Sequence, residues 1–504
     1  MKRNFLKAAL FLFIVFLFAL VFSSLTFKPE ANDLPLPAFY KKGAFHMHST
    51  FSDGRGTVAE IARAARRARL DFVILTDHGR PNLRASAATG WNDGVLLIGA
   101  SEFSLNEGHL AAAGYRVPGY VFPPEAREAI AEVNRDNGVT FISHPFDRKI
   151  PWSDWQVRDF SGIEILSLYQ MAKKNLLRGL TLFPLQYVFN PDYALTALLS
   201  YPRREMETWD RLNRQGRYFG IYALDSHAKL PLSTRRSLHF PSYGATFRIL
   251  NVYVKVERGL DADADANRAA AAVIAAMRRG DFFSVIESLA PANGFDCYYL
   301  QKDGGRVDMG GDAPAAGGNL MMALPFQFAT DIVVKKDGAL FTVVRANTRP
   351  ELSVPIDRGG VYRAEISLAS GRFKELPWIM TNPIFIARKA PIRAAPENVV
   401  AVFATEGENY FSVEKNGRSG AVLHWDALQF RIGSGPGEAA YQHSFLADGE
   451  WRRIAIPFSS FHCLYGQPAV PAPVDIDSFF FLIDGNNAYS GAQGEIFLRR
   501  IGLY

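Results

Sequence analysis

Cysteine is nearly absent: Cys297 and Cys463 are the two in 504 residues. They lie far apart, and neither has a Cys or His beside it at zinc-site spacing. That excludes a disulfide framework and a thiolate metal site. Charge of one sign is also scarce. Against 56 Lys and Arg stand 50 Asp and Glu, a formal net charge of +6. Basic runs such as "RAARRAR" at 63–69 read as solvated helix faces, and no basic stripe is interleaved with aromatics, so no nucleic-acid partner is expected. Long apolar runs are missing from all but one place. Ala8 to Leu25 is eighteen residues without a charge, at the short end of what spans a hydrocarbon core. Lys2, Arg3 and Lys7 precede it, which keeps the start in the cytoplasm and sends the rest outward. Its end, "VFSSLTF", lacks a small-x-small cleavage pattern. An uncleaved N-terminal transmembrane helix is therefore expected, with a cleaved signal segment as the alternative; either way the catalytic part is expected to be extracytoplasmic, in the periplasm or at the cell surface.

What is present is folded material: 48% hydrophobic and 21% charged residues argue against large-scale disorder, and the length suggests roughly two to four domains. After the membrane segment (1–27) and a Pro-containing linker (28–42), residues 43–290 alternate apolar runs with amphipathic ones. "DFVILTDH", "GVLLIGASEFS", "VTFISHP" and "YFGIYALDSH" read as strands; "TVAEIARAARRARL" and "PRREMETWDRLNRQG" read as helices. That alternation predicts a largely parallel α/β sheet. From about 291 helix patterns stop, and "DIVVKKDGALFTVVRA" reads as a hairpin about an Asp-Gly turn. A Pro- and Ala-rich break at 389–398 then separates a small β domain (291–390) from a terminal all-β module (391–504).

Histidine is also sparse, ten in all, yet it is concentrated. "HMHS" puts His46 and His48 two apart on a strand, where i and i+2 share a face, and Asp53 follows in the next loop. Further strands carry Asp77 and His78 ("TDH"), Glu102 ("SEF"), His144 ("SHP"), and Asp225 and His227 ("LDSH"). His109 opens "HLAAAGY". Active sites of α/β sheets gather at the carboxyl ends of strands, so imidazoles and carboxylates repeated there predict a multinuclear metal site. Asp77, beside His78, should face the other way and support the ligands rather than join them.

The ordered set "HMHS…SDG", "TDH", "SEF", "SHP", "LDSH" resembles the PHP family, the polymerase and histidinol phosphatase metallohydrolases, over roughly residues 43–290. The resemblance implies a distorted (β/α)7-type barrel. In it His46, His48, Glu102 and Asp225 would hold one ion, and Glu102 would bridge to a second held with His144. Asp53, His78 and His227 would hold a third. His109 would either complete the second site or pair with a carboxylate as a strand histidine. Two or three divalent ions are implied, and imidazole with carboxylate suits Zn, Mn or Fe. Carboxylate-bridged ions lower the pKa of bound water towards ~7 and clamp attacking and leaving oxygens. The implied activity is metal-dependent hydrolysis, foremost of phosphoesters. "PWIMTNPIFI" (377–386) resembles an extracytoplasmic branch similar to carbaryl hydrolases, which leaves ester or carbamate hydrolysis as the alternative.

The substrate is expected to be a small molecule met by residues in 168–200 and 228–250, where Lys229, Arg235 and Arg236 either meet an anionic group or stand as surface charge. "DADADANRAAAA" (261–272) has Ala at the sixth and twelfth positions of a would-be calcium loop and reads as a capped helix start. The terminal module resembles a galactose-binding-like jelly-roll sandwich. Trp451 and Tyr465 either stack on a sugar or pack internally. A different class of function follows from that module: binding of an envelope glycan beside an inactive metallohydrolase scaffold.

Overall fold

The computed structural model of the chain describes residues 11, 15, 21–117, 121–179, 183–231, 237–256, 260 and 265–387, and the backbone of seven strands between 410 and 503. No helix among the described residues is long and apolar enough to cross a membrane; most of the run at 8–25 lies outside them. The fold is mixed α/β, with one large central sheet and further all-β sheets.

The site is carried by β1 (Tyr40–Met47), β2 (Phe72–Leu75), β3 (Gly90–Asn92), β4 (Val95–Leu105), β5 (Gly108–Ala113), β6 (Val139–Ile142), β7 (Gly162–Ser167) and β8 (Phe219–Ala223). Seven of them run in the order β1-β2-β4-β5-β6-β7-β8, with β3 pairing on β4 at the side. The pairs β1/β2, β2/β4, β6/β7 and β7/β8 are parallel, while β5 is antiparallel to both its neighbours. The ring closes where β8 returns to β1. Leu224 N donates to Phe45 O and His48 N donates to Ser226 O, each at 3.0 Å, and Met47 bridges Ser226 in parallel.

The strands are buried on both faces, as their unbroken apolar sequences require. Phe45, Ile74, Ile98, Ala111, Phe141 and Ile221 come from six of the seven strands and share one core with Val273, Ile274 and Met277 of the helix Ala266–Arg279. The ring interior is thus packed. On the other face of the strands Ala44, Val73 and Leu97 share a second core with Ile61 of the helix Val58–Arg67. Val58–Arg67 starts at a capping box, with Glu60 N donating to Thr57 Oγ1 (3.3 Å) and Thr57 N to the Glu60 carboxylate (2.8 Å). Its buried Ile61 contributes on the order of 2 kcal/mol. The helix Ala266–Arg279 is capped by Asp265, which accepts from Arg268 N at 2.8 Å. It ends at Gly280 with φ +81°, a left-handed C-cap that glycine adopts without strain. The described part of "DADADAN" is therefore a helix start.

The same sheet runs on past position 291. Leu250–Lys255 and Phe282–Ile286 pair antiparallel with each other, and the first of them pairs with β1. Phe282–Ile286 then takes on Ile379–Thr381. The stretch 377–386 is a clamp. Trp378 is fully buried and donates Nε1–H to Ala290 O at 2.6 Å. Asn382 accepts from Gly220 N at 2.8 Å on β8 and donates to Phe282 O at 3.0 Å. The Asp-Gly hairpin is present: Thr330–Lys336 pairs with Ala339–Asn347 around Asp337 (φ 52°) and Gly338 (φ 85°), both left-handed as a two-residue hairpin turn needs. Beyond 410 the strands form two antiparallel sheets, of three and four strands. Trp451 and the side chains of Tyr465, His443 and His462 lie outside the described residues, so the sugar-stacking expectation does too.

Candidate metal centre

Local backbone geometry brings the ligands in. A register shift falls between Ala44 and Met47 on β1, and His46 is left-handed at φ 69°. The simple alternation of a regular strand therefore does not apply, yet His46 Nε2 and His48 Nε2 meet at 3.0 Å. His144 (φ 29°) and Asp225 (φ 49°) are also left-handed. Non-glycine residues held this way cost about 1–3 kcal/mol each and concentrate at functional sites. His109 arrives by a different route. It lies near the start of β5, opposite Ser104, and because β5 runs antiparallel its beginning sits at the edge where β4 ends.

All nine expected ligands converge. Glu102, 1% exposed, is the hub. Its Oε2 lies 3.3 Å from His46 Nε2, His48 Nε2 and His78 Nδ1, and its Oε1 lies 3.2 Å from His109 Nδ1 and 3.0 Å from His144 Nε2. Asp225 Oδ1 lies 3.6 Å from His46 Nε2 and 3.5 Å from both His48 Nε2 and His227 Nδ1. Asp53 Oδ1 lies 3.2 Å from His227 Nε2, 3.6 Å from His48 Nδ1 and 3.8 Å from His78 Nε2. Three sets have ligand atoms close enough to share an ion: His46, His48 and Glu102; His78, Glu102 and His109; and His48, Asp53, His78 and His227. This grouping differs from the sequence-based one: His48 joins the Asp53 set, His78 and His109 share a set with Glu102, and neither Asp225 nor His144 falls in any of the three.

The donor chemistry fits cations. His48 Nδ1, Asp53 Oδ1, His78 Nδ1 and His144 Nδ1 are buried with no hydrogen-bond partner. Each such atom would cost about 1–3 kcal/mol in a dry protein interior, and an ion among them removes that cost. Charge is arranged to match. Burial raises the pKa of Asp53, but the imidazoles of His227, His48 and His78 outweigh it and hold the carboxyl well below its usual range; His46 chiefly does the same for Asp225 against burial. Burial opposes charge on His48, yet the Asp225 and Glu102 carboxylates push it up to about 10. His144 rises to about 9 against burial, mainly through Glu102. His78 is pushed down to about 4 by burial and is a neutral ligand at neutral pH.

Without metal, protons on these imidazoles balance the acids, so ion binding must displace them. Adding Zn²⁺ or Mn²⁺ to metal-free protein in weak buffer at pH 7 should release protons, read with an indicator dye. Apparent affinity should rise with pH up to about 9–10, by about tenfold per unit for each proton displaced.

Two carboxylates support the cage from behind. Asp77 accepts from Ser49 N (2.8 Å), Ser49 Oγ (2.8 Å) and Ser52 Oγ (2.7 Å), which shapes the loop leading to Asp53. Glu164 on β7 was not anticipated. Its Oε1 lies 2.5 Å from His46 Nδ1 and its Oε2 accepts from His144 N at 2.8 Å. Such a partner fixes the ring so that Nε2 faces the ion. The signal for it was an acid inside the apolar strand "GIEILS", since a buried charge needs a partner. At the rim, the Tyr169 ring centroid is 5.3 Å from that of His227. Lys173 pairs with Asp147 at 2.7 Å, and Lys229 Nζ donates to Asp53 O at 3.0 Å. Arg235 and Arg236 lie outside the described residues.

Ring and cage together define a mixed α/β protein whose clustered His, Asp and Glu side chains suit divalent metal ions. No family model matches the sequence, and no curated protein matches it. Solved structures do match, these two among them. One is a two-domain protein of Bacteroides vulgatus described as containing a predicted PHP-like metal-dependent phosphoesterase, at 14% identity over 70% of this chain and 99% of that one, with a TM-score of 0.33. The other is a Bifidobacterium adolescentis protein bearing the name metal-dependent phosphoesterase, at 15% identity over 39% of this chain and 91% of that one, with a TM-score of 0.23.

Proposed function

We propose that this protein is a metal-dependent hydrolase of phosphoester bonds in a small anionic substrate, anchored by residues 8–25 and working outside the cytoplasm. One observation carries the hydrolase reading: eight imidazoles and carboxylates from separate strands and loops cluster with the buried Glu102 carboxylate, and four of the nine side chains carry a buried polar atom with no hydrogen-bond partner. Bound Zn, Mn or Fe would supply an acidified water and positive charge for the phosphoryl oxygens.

The chain's own groups do the rest. Glu102 holds five imidazoles around one point. Glu164 orients His46 through Nδ1. Tyr243 donates its hydroxyl to His48 O at 2.7 Å and accepts from Gly56 N at 3.1 Å, which ties the first ligand strand to its following loop. Burial, then Asp225 and Asp53, push the Tyr169 phenol up to about 12. It therefore stays protonated and faces the site mouth as a donor to an anionic oxygen.

Purified full-length protein should contain two or three divalent transition-metal ions per chain by elemental analysis, and should hydrolyse p-nitrophenyl phosphate. His46→Ala with His48→Ala should remove metal and lower turnover by two or more orders of magnitude, roughly what several kcal/mol of lost charge stabilisation means. Metal-free protein with unchanged activity would overturn the reading. Turnover of carboxyl esters or carbamates in preference to phosphoesters would move the substrate to the alternative class.

A further inference from the structure

The chain exposes its large apolar side chains unevenly. Of the fourteen exposed among the described residues, six fall in two segments: Phe11, Val15, Phe22 and Leu25 in the N-terminal apolar run, and Val188 and Phe189 in the helix Phe183–Phe189. Val188 is 78% exposed. Asn190, directly after Phe189, joins the two segments by donating its side-chain amide to Ser24 O at 2.9 Å and Phe27 O at 3.0 Å. Phe27 is packed against Tyr193 and Phe373 at centroid distances of 5.6 and 5.4 Å. The apolar run therefore ends at a fixed point on the domain, and that point adjoins Val188 and Phe189.

The sequence around the helix is of the same character. Gly179 to Pro191 is thirteen residues without a charge, and Lys173, Lys174 and Arg178 precede it. Apolar residues flanked by cations suit the boundary between acyl chains and anionic headgroups. The helix also lies beside the cage. Tyr187 packs on Phe240 with centroids 4.5 Å apart and its hydroxyl accepts from Ser242 N at 3.3 Å, and the next residue, Tyr243, bonds the carbonyls of His48 and His227.

We propose that the helix Phe183–Phe189 is a second membrane contact, in which Val188 and Phe189 enter the lipid beside the emerging anchor and hold the metal cage at the bilayer surface. This rests on the anchor reading above. Continuity with the apolar run selects lipid as the occupant over a protein partner.

The test uses the full chain in vesicles of phosphatidylcholine and phosphatidylglycerol, in a Cys463→Ser background. Single cysteines replace Val188, Val15 or Val117, each carrying a polarity-sensitive fluorophore. Val117 is an exposed reference on another segment. The label at 188, like that at 15, should be quenched by lipid-borne nitroxide and spared by aqueous iodide, with the reverse at 117. If 188 behaves like 117 while 15 stays in lipid, the second contact is wrong and the anchor stands. If 15 is also in water, the anchor reading falls with it. Protection of 188 from both quenchers would put protein over the helix and overturn the proposal.

Discussion

Glu102→Gln is expected to be the most damaging single change to activity. Five imidazole nitrogens lie within 3.3 Å of its two oxygens, and two of the three candidate ion sets require it. Glutamine keeps the shape but removes the charge and turns one acceptor into a donor aimed at imidazoles. Breaking one partner of a buried charge cluster costs about 3–5 kcal/mol, so affinity for the ions should fall roughly 10²- to 10⁴-fold. The metal-free variant should also hold fewer protons. Glu102 raises His46, after Glu164, and His48, after Asp225; without it both should titrate lower. The measurements are metal content after dialysis and histidine titration by NMR. Glu164→Gln makes the control. It touches no ion and acts through His46, so its loss should be nearer the 10- to 100-fold of an outer-shell partner. Equal effects from the two changes would contradict Glu102 as the hub.

The centre was legible where chemistry resides in residue type. Imidazoles and carboxylates placed repeatedly at strand ends have few structural uses, so His46, His48, His144, Asp225 and His227 announced themselves. Glu164 did not, because its meaning depends on a partner 118 positions away. Membership of His109 depended on strand direction: in a parallel β5 it would sit at the far edge, and spacing does not encode direction. The sharing of His48 and His78 between sets depends on where ring nitrogens meet in space, which residue spacing does not encode. In the fold, alternation of apolar and amphipathic runs revealed the α/β part, and Asp337-Gly338 revealed a hairpin. The pairing of Phe282–Ile286 with Ile379–Thr381 was hidden, since contacts nearly a hundred residues apart leave no periodicity. Short helices such as Pro191–Thr196 and Tyr243–Thr246 were missed because one turn is too brief to show an amphipathic pattern.

Arg363→Met should cause the largest loss of stability while leaving each folded molecule its metal centre. Arg363 is 3% exposed. Its Nε and Nη2 donate to the two Asp210 oxygens at 2.8 Å each, and its Nη1 donates to Glu365 Oε1 at 2.7 Å. Its guanidinium carbon also lies 4.8 Å from the Trp209 ring centroid. Asp210 belongs to the helix Arg203–Asn213, and Arg363 to the strand Gly360–Leu368, so the pair locks the α/β part to the later strands. Methionine fills part of the volume but leaves Asp210 buried without its counter-ion, a loss of about 3–5 kcal/mol. Glu365 suffers less because Lys335, at 3.1 Å, and the Tyr201 hydroxyl, at 3.0 Å, remain. The denaturant midpoint should therefore drop sharply at pH 7, with metal content per folded chain unchanged. Acid should narrow the gap. Against burial, Arg363 and Lys335 hold the folded Glu365 carboxyl below its usual range, a contribution present above the unfolded pKa of about 4.3 and lost as pH falls through the folded value. The wild type thus gives up part of its advantage in acid. Adding Asp210→Leu to Arg363→Met should recover much of the loss, because an apolar pair in place of a buried ion pair is often neutral. If the double variant is as unstable as the single, packing against Trp209 and not the charge is what Arg363 contributes.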